Sequence, residues 1–132
     1  YDRRGNNTRR VQVTESATYD LRHTFNLANR VTQTIYPNGL TVNYSRDALG
    51  RISAITASGA GLVGTQTVVG SISYAPFSGP ASLTYGNGQK VSYTRDSNRR
   101  ISIVQGPAVN LEFRFDWQGN IIEEGPPSAS PN

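Results

Sequence analysis

The strongest constraint on this fold is that the chain repeats itself. Tyr36–Ser53 and Tyr85–Ser102 are identical at ten of 18 positions, with a constant offset of 49 residues. Chance alone would give about one identity over such a length, and a fixed period is the signature of a repeat architecture. Each unit of such a protein buries its apolar face against its neighbours. The fold predicted for one copy must therefore hold for the other.

A shorter unit lies inside the long one. It has an aromatic residue, two variable residues, Asp or Asn, two further residues, a turn residue, Arg or Asn, and Ile or Val. The Asp or Asn stands at positions 2, 26, 47, 96 and 116, and the wide step from 47 to 96 predicts a degenerate copy around Ser73–Gly79. The clearest repeat positions are Tyr44, Asp47, Gly50 and Arg51, then Tyr93, Asp96 and Arg100, then Phe113, Asp116 and Gly119.

Apolar residues between these turns recur with a period of two. Val42 and Tyr44 alternate with polar neighbours, and the series Leu111, Phe113, Phe115 and Trp117 does the same. This alternation is typical of half-buried strands, and β-branched and aromatic residues favour them. We therefore predict an all-β fold with almost no helix.

Two kinds of turn separate the predicted strands. Asn38-Gly39 and Asn87-Gly88 are strong hairpin signals and predict type I′ turns, in which both central residues have positive φ. The second kind begins at Asp47 or Asp96, whose side chain can bond backbone N–H groups two residues on. The permissive backbone would come from Gly5, Gly50, Gly119 and Asn98. The order of strands and turns predicts an antiparallel meander to which each repeat adds roughly two strands. The sheet would be curved or spiralling, as part of a shell or an edge-to-edge assembly.

The repeats set the predicted domain organisation. Residues 1–124 would form one β-sheet domain of about five to six units, interrupted by a flexible loop near residues 57–70. Residues 125–132 are rich in Pro and Ser and are predicted to be a tail or linker. No Met is present, so we expect a processed product or a piece of something longer.

The composition offers little chemistry. The chain has no Cys and a single histidine, His23, for which we expect a role at a strand surface or interface. Disulfides and thiol catalysis are excluded, and a lone His cannot build a usual transition-metal site. We predict no enzymatic activity, no metal and no cofactor. No apolar run approaches the length of a membrane span.

Arginine supplies 12 of the 13 basic residues, and the formal net charge is +4. Around each Asp turn stand two of them, Arg46 and Arg51 or Arg95 and Arg100. We favour a structural interpretation, in which they bond carboxylates or turn carbonyls and stack on aromatic rings, because Asp and Arg repeat together. The alternative is a polyanion-binding module for nucleic acid or glycan, since Tyr44 and Arg46 share a strand face, as do Tyr93 and Arg95.

These units resemble the YD repeat, also called the RHS repeat. The similarity covers about residues 1–124 and is carried by Tyr-Asp-x-x-Gly-Asn at Tyr1 and by Tyr-x-x-Asp-x-x-Gly-Arg-Ile at Tyr44. Some copies depart from the pattern: Asp47 and Asp96 are displaced from their Tyr by two residues, Asn26 replaces Asp, and Arg99 occupies a usual Gly position.

The resemblance implies a β-sheet that spirals into a hollow shell. Such shells enclose a toxic domain in Rhs proteins and bacterial toxin complexes, and a similar barrel occurs in cell-surface teneurins. Rhs shells often end in an Asp-Pro-containing motif linked to self-cleavage, but no Asp-Pro dipeptide occurs in this chain, so no protease activity is inferred.

We therefore expect a non-enzymatic scaffold of a secreted or cell-surface protein, bacterial in origin. It would be part of a toxin-encapsulating shell or a self-assembling surface structure. Its partners would be neighbouring repeats of the same or an identical chain, an enclosed toxin domain, and further copies joined through sheet edges into a homo-oligomer or fibre.

Overall fold

The computed structural model describes residues 1–127, which form eleven β-strands and no helix. The strands follow one another through the sheet in chain order, and neighbouring strands pair antiparallel. The predicted all-β antiparallel meander is confirmed. The structure describes residues 125–127 of the tail predicted for residues 125–132, and Gly125 ends the last strand. The rest of that prediction lies outside the described residues.

Two compact units divide the chain, Tyr1–Gly70 and Ser71–Asn132. The strands of the first unit are β1 (Arg9–Val13), β2 (Thr18–Phe25), β3 (Val31–Ile35), β4 (Thr41–Arg46) and β5 (Ile52–Ser58), followed by the first part of β6 (Gln66–Tyr74). The second unit holds the rest of β6 and then β7 (Pro80–Tyr85), β8 (Lys90–Arg95), β9 (Ile101–Gly106), β10 (Val109–Phe115) and β11 (Ile121–Gly125).

The connection from β5 to β6 is shorter than the loop predicted near residues 57–70. Strand β5 continues to Ser58 and β6 begins at Gln66, which leaves residues 59–65 as the loop. Ala57 and Val69, placed inside the predicted loop, are both buried. The predicted loop was too long. It included the run Thr67-Val68-Val69, which has strong strand propensity and belongs to the strand that pairs with β5.

In the first unit, the register separates an apolar face from a polar one. Tyr44 lies opposite Ile55, and Ile55 lies opposite Val69, so these side chains share one face. The other face is polar, with the Gln33 Nε2 donating to Asn43 Oδ1 at 2.8 Å across β3 and β4. We call the face that carries the repeat Tyr the aromatic face.

The second unit has the same division. Tyr93 lies opposite Val104, which lies opposite Leu111, on its aromatic face. Ser92 and Gln105 are paired on its polar face. Within residues 1–127, each unit is thus a single sheet layer, and no second layer of the same unit covers its apolar side chains.

Few side chains are buried. Within residues 1–127 only Thr34, Ala57 and Val69 are buried, and all three belong to the first unit. Two packed layers are the usual way to bury an apolar face. Strand pairing and turn chemistry therefore carry an unusually large share of the local structure.

Seven five-residue turns have one backbone geometry. The N–H of the first residue donates to the carbonyl of the fifth, the first carbonyl accepts from the N–H of the fourth, and the fourth residue has positive φ. This is the three-residue hairpin loop, in which a left-handed residue follows a type I turn. The turns begin at Asp2, Asn26, Tyr36, Asp47, Tyr85, Asp96 and Asp116.

The prediction of type I′ turns at Asn38-Gly39 and Asn87-Gly88 is wrong. Both pairs lie in turns, but φ is positive only at the glycine of each pair, +84° at Gly39 and +82° at Gly88. In the first turn Pro37 supplies the reason. It would stand just before a type I′ turn at Asn38-Gly39 and has no N–H to donate across the hairpin, whereas in the observed turn the Tyr36 N–H donates to Leu40 O.

Two further turn predictions change. In the turn from Asp96 the left-handed residue is Arg99, with φ +65°, and not Asn98. The backbone hydrogen bonds of the turn require positive φ at its fourth residue, so Arg99 adopts the left-handed conformation although it is not glycine. Trp117, predicted to continue a strand, lies after the end of β10 in the turn from Asp116 and is 91% exposed.

A bulge follows four turns of the Asp or Asn class. The register shifts by one residue where Phe25 pairs with Val31, Arg46 with Ile52, Arg95 with Ile101 and Phe115 with Ile121. In two hairpins the hydroxyl of the extra residue bonds a carbonyl across the strands, from Thr32 to Thr24 and from Ser102 to Thr94. The bulge returns the residue after the turn to the face of the residue before it.

We predict that Arg99→Gly stabilises the protein. Holding a non-glycine residue in the left-handed region costs about 1 kcal/mol, which glycine avoids. Equilibrium urea unfolding should show an increase in unfolding free energy of about that size. The neighbouring Asn98→Gly is the control, because φ at that position is not positive, and it should give no gain.

Candidate functional site: the turn edge and the aromatic face

In a meander, alternate turns lie at the same edge of the sheet. The turns of the Asp or Asn class all join an even-numbered strand to the next odd-numbered one, apart from the turn that precedes β1. The first unit carries turns 2–6, 26–30 and 47–51, and the second carries 75–79, 96–100 and 116–120. Turn 75–79 falls in the predicted degenerate copy and differs in having its positive φ at Phe77. We call this row of turns the turn edge of each unit.

Each Asp binds the backbone of its own turn. Asp47 Oδ1 accepts from the N–H groups of Leu49 and Arg51 at 3.0 and 2.9 Å, and its Oδ2 accepts from Arg51 Nε at 2.8 Å. Asp96 repeats this arrangement, with Arg100 Nε at 2.7 Å. The repeated Asp and Arg thus form one unit of turn chemistry.

Where the fifth residue is Asn, its amide replaces the guanidinium. Asn120 Nδ2 donates to Asp116 Oδ2 at 2.9 Å, and Asn6 Nδ2 donates to Asp2 Oδ2 at 2.9 Å. In turn 26–30 the carboxylate itself is replaced, and Asn26 Oδ1 accepts from two backbone N–H groups. An oxygen acceptor at the first position is common to all five turns.

The carboxylates have lowered pKa values. At Asp116 and Asp2 the leading cause is the side-chain hydrogen bond from the Asn at the fifth position. At Asp47 partial desolvation acts to raise the pKa, but hydrogen bonds from Arg51 and its charge outweigh it and leave the pKa lowered. These groups stay ionised at neutral pH, which suits acceptors and not general acids.

Arginines also join one turn to the next. In the first unit Arg4 NH1 donates to Leu27 O at 2.8 Å, and Arg30 NH1 donates to Leu49 O at 3.1 Å. The guanidinium of Arg30 covers Gly50 so closely that a Cβ at position 50 would coincide with it. In the second unit the Arg100 guanidinium lies 4.2 Å from the centre of the Phe115 ring.

Sequence reasoning missed the contacts of Arg4 and Arg30. Arg30 stands at the fifth position of a weak copy, where Arg51 and Arg100 stand in clear copies. This shared position in the turn was the one signal in the sequence that Arg30 has a structural role. The partner of Arg30 is 19 residues away in the next turn, and a motif confined to one turn does not reveal it.

The arginine that stands just before the Asp of each clear copy, Arg46 or Arg95, bonds backbone carbonyls. Arg46 donates to Val31 O at 2.8 Å and to Gly50 O at 3.0 Å. Arg95 donates to Pro80 O at 2.9 Å, which is the same contact displaced by 49 residues. These donors act between strands, as the structural interpretation of the arginines expects, and the contacts do not favour polyanion binding at Arg46 and Arg95.

A shallow depression lies on the aromatic face of each unit. The first, of about 240 Å³, is lined by His23, Val31, Thr34, Tyr44, Arg46 and Ile52. The second, of about 380 Å³, is lined by Pro80, Leu83, Tyr93, Arg95 and Ile101. All five residues of the second correspond to residues of the first at the offset of 49. The repeat thus builds one apolar surface twice.

The depressions hold few groups that could perform chemistry. His23 Nδ1 lies 3.1 Å from Thr34 Oγ1, and its ring meets Phe25 edge-on. Among residues 1–127 no three His, Cys, Asp or Glu side chains are grouped as metal ligands. The described chain also has no helix that is long and apolar enough to cross a membrane. The arrangement is suited to contact with another surface.

We predict that Gly50→Ala is more destabilising than Gly39→Ala. The two glycines have similar φ, +78° and +84°, so the backbone strain of an added Cβ is matched. Only at Gly50 must the Cβ displace Arg30, which costs the hydrogen bond to Leu49, about 1 kcal/mol. Urea unfolding should show this difference.

The same comparison in an Arg30→Ala background tests the cause. There the costs of Gly50→Ala and Gly39→Ala should become equal, as expected when the coupling partner is removed. A difference that persists without Arg30 would show that another feature of the turn is responsible.

Comparison with known proteins supports the description of the repeat. The RHS Repeat family model matches residues 25–61, which span the turns from Asn26, Tyr36 and Asp47. A search of curated proteins found no match.

Solved structures with the same fold belong to Tc toxins. The crystal structure of TcdB2-TccC3-Cdc42 has 16% sequence identity and a TM-score of 0.77, over 82% of this chain and 5% of that one. The crystal structure of TcdB2-TccC3 has 17% identity and a TM-score of 0.77, over 82% and 6%. The Photorhabdus luminescens Tc holotoxin pore with a mutated TccC3 has 16% identity and a TM-score of 0.76, over 85% and 6%.

The chain spans about one twentieth of the length of those chains. At these identities the likeness is one of fold. Residues 25–61 match the RHS Repeat family model, and the predicted resemblance of the chain to the YD-repeat, or RHS-repeat, family is confirmed.

Proposed function

We propose that this chain is a non-catalytic scaffold, a stretch of the wall of a YD-repeat shell in a secreted bacterial protein. The observation that carries the proposal is the single sheet layer with its apolar face uncovered. Thr34, Ala57 and Val69 are the only buried residues within 1–127. A sheet of this kind is completed by what lies against it, which suits a wall and not a self-contained domain.

The aromatic face is the surface that would meet the contents of the shell. It presents the two depressions around Tyr44 and Tyr93, and their linings are mostly apolar. Contiguous exposed apolar surface marks a contact site. Because the depressions are shallow and open, they fit extended apolar side chains of an unfolded polypeptide better than a small molecule. An enclosed toxin domain held unfolded would be such a partner.

Self-assembly is the second candidate, and the outer edges of the sheet favour it. All residues of β1 are exposed, and so are Ile121 to Glu124 of β11. Within residues 1–127 β1 pairs only with β2, and β11 pairs only with β10. Unpaired strand edges are templates for pairing with another chain.

The shell proposal predicts that the chain binds an unfolded polypeptide through its aromatic face. The probe is reduced and carboxymethylated lactalbumin, with binding followed by fluorescence anisotropy. Combining Tyr44→Gln with Tyr93→Gln should weaken binding about tenfold, since removing two aromatic contacts costs about 1.4 kcal/mol in total.

The control is Asn43→Gln combined with Ser92→Gln, two positions related by the same offset on the polar face. It should bind like the wild type, and circular dichroism should show the same strand content in all variants. Equal binding by both pairs, or no binding by the wild type, would contradict the proposed role of the aromatic face.

Polyanion binding remains an alternative, and a salt titration tests it. If Arg46 and Arg95 serve only the sheet, filter binding should show no salt-dependent affinity for oligonucleotides or sulfated glycans near physiological ionic strength. Affinity that falls steeply with salt and is lost in Arg46→Gln with Arg95→Gln would favour the alternative.

A further inference from the structure

The two depressions of the aromatic faces are copies of one surface, but their chemistry differs at two positions. At the offset of 49 residues, His23 and Thr34 of the first unit correspond to Ile72 and Leu83 of the second. The tyrosine, the arginine and the isoleucine of the lining recur unchanged. The His23 side chain is half-buried, and Thr34 is only 4% exposed. The first depression therefore has a polar pair where its copy has two aliphatic residues.

One nitrogen of the His23 ring has no partner. Nδ1 lies 3.1 Å from Thr34 Oγ1, and the ring meets Phe25 edge-on. Among residues 1–127, Nε2 makes no hydrogen bond. A polypeptide laid across this face would bury the imidazole, and burying a polar group without a partner is costly. A segment that brings a hydrogen-bonding group to Nε2 is therefore favoured over one that is apolar throughout.

The charge of this face selects the kind of group. The titratable and charged side chains that line the depressions of the first unit's aromatic face, besides His23, are two arginines and three tyrosines: Arg10, Tyr19, Tyr36, Tyr44 and Arg46. The one acid in the strands of this unit, Asp20, lies on the polar face, where it bonds Arg9. A face with basic and neutral groups is complemented by a carboxylate.

We propose that the depression around His23 binds an acidic side chain of an extended polypeptide, whose carboxylate accepts a hydrogen bond from His23 Nε2 and is attracted by the charge of Arg46. The inference rests on the proposed binding of unfolded polypeptide to the aromatic face, and it adds a side-chain specificity to the first depression. The copy around Tyr93 keeps the arginine but has no imidazole, so it lacks the part of this preference that depends on a proton.

Proton linkage gives the specificity a direction with pH. Histidine side chains gain a proton between about pH 8 and pH 5, and the protonated ring donates from both nitrogens. A bound carboxylate favours this form, so binding takes up a proton from solution and strengthens as the pH falls from 8 to 6. A Glu carboxyl, with an ordinary pKa of about 4.3, stays ionised over this range. A segment with Gln at the same place has no charge to attract the protonated ring.

Fluorescence anisotropy of the full 132-residue chain with two labelled peptides tests this specificity. Both peptides are capped at each end and alternate Leu and Ser between Gly-Ser ends, and they differ only in a central Glu or Gln. At pH 6 the wild type should bind the Glu peptide about fivefold more tightly, the gain expected from one charge-assisted hydrogen bond at a partly exposed site. At pH 8 this ratio should fall to about twofold or less. In His23→Ile, which takes the residue of the second copy, the ratio should be equally low at both pH values.

Two further changes in the His23→Ile chain are the matched controls. Ile72→His with Leu83→Thr rebuilds the polar pair in the second unit and should restore the pH-dependent ratio. Thr24→His places an imidazole on the polar face, since Thr24 pairs with Gln33, and should not restore it. Circular dichroism should show equal strand content throughout.

Three results would overturn the inference: equal affinity of the wild type for the two peptides, no binding of either peptide, or a pH-dependent ratio that His23→Ile retains. If carboxymethylated lactalbumin still binds through Tyr44 and Tyr93 in these cases, only the specificity at His23 fails. If lactalbumin does not bind either, the proposed role of the aromatic face fails with it.

Discussion

Seven turns of this sheet depend on one residue held in the left-handed backbone conformation at the fourth of their five positions. That residue lets the chain reverse while the first and fifth residues exchange a backbone hydrogen bond. The side chain at the first position, or at the third in the turns from Tyr36 and Tyr85, then accepts the N–H groups that the reversal leaves open. Strand length and register follow from where these turns stand.

Arginine extends this local device across the sheet. A turn fixes only the two strands that it joins, but the guanidinium of Arg30 covers the glycine of the following turn, and Arg46 bonds the start of the preceding strand. Glycine at position 50 thus serves two purposes: it permits positive φ and it leaves room for the arginine. Asp and Arg recur together because Arg51 and Arg100 bond the Asp of their own turn, whereas Arg46 and Arg95 bond carbonyls of the neighbouring strand.

The sequence predicted the class of fold, the meander and the places of the Asp-class and Asn-Gly turns, because these depend on short-range chemistry that repeats. It did not predict the turn type at Asn38-Gly39, since the familiar dipeptide signal ignores the restriction imposed by Pro37. It also missed the contact of Arg30 with Leu49, which joins two turns 19 residues apart. Local patterns fix local geometry, whereas contacts between successive copies require the register of the sheet, which only the structure supplies.

Because few side chains are buried within the sheet, the stability of each repeat depends on contacts with the repeats beside it. In a two-layered domain, exposed apolar residues such as Val13 and Ile122, 72% and 66% exposed, would be a liability. In a repeat array each copy supplies the cover that its neighbour lacks, so stability grows as a sum of contacts between adjacent units.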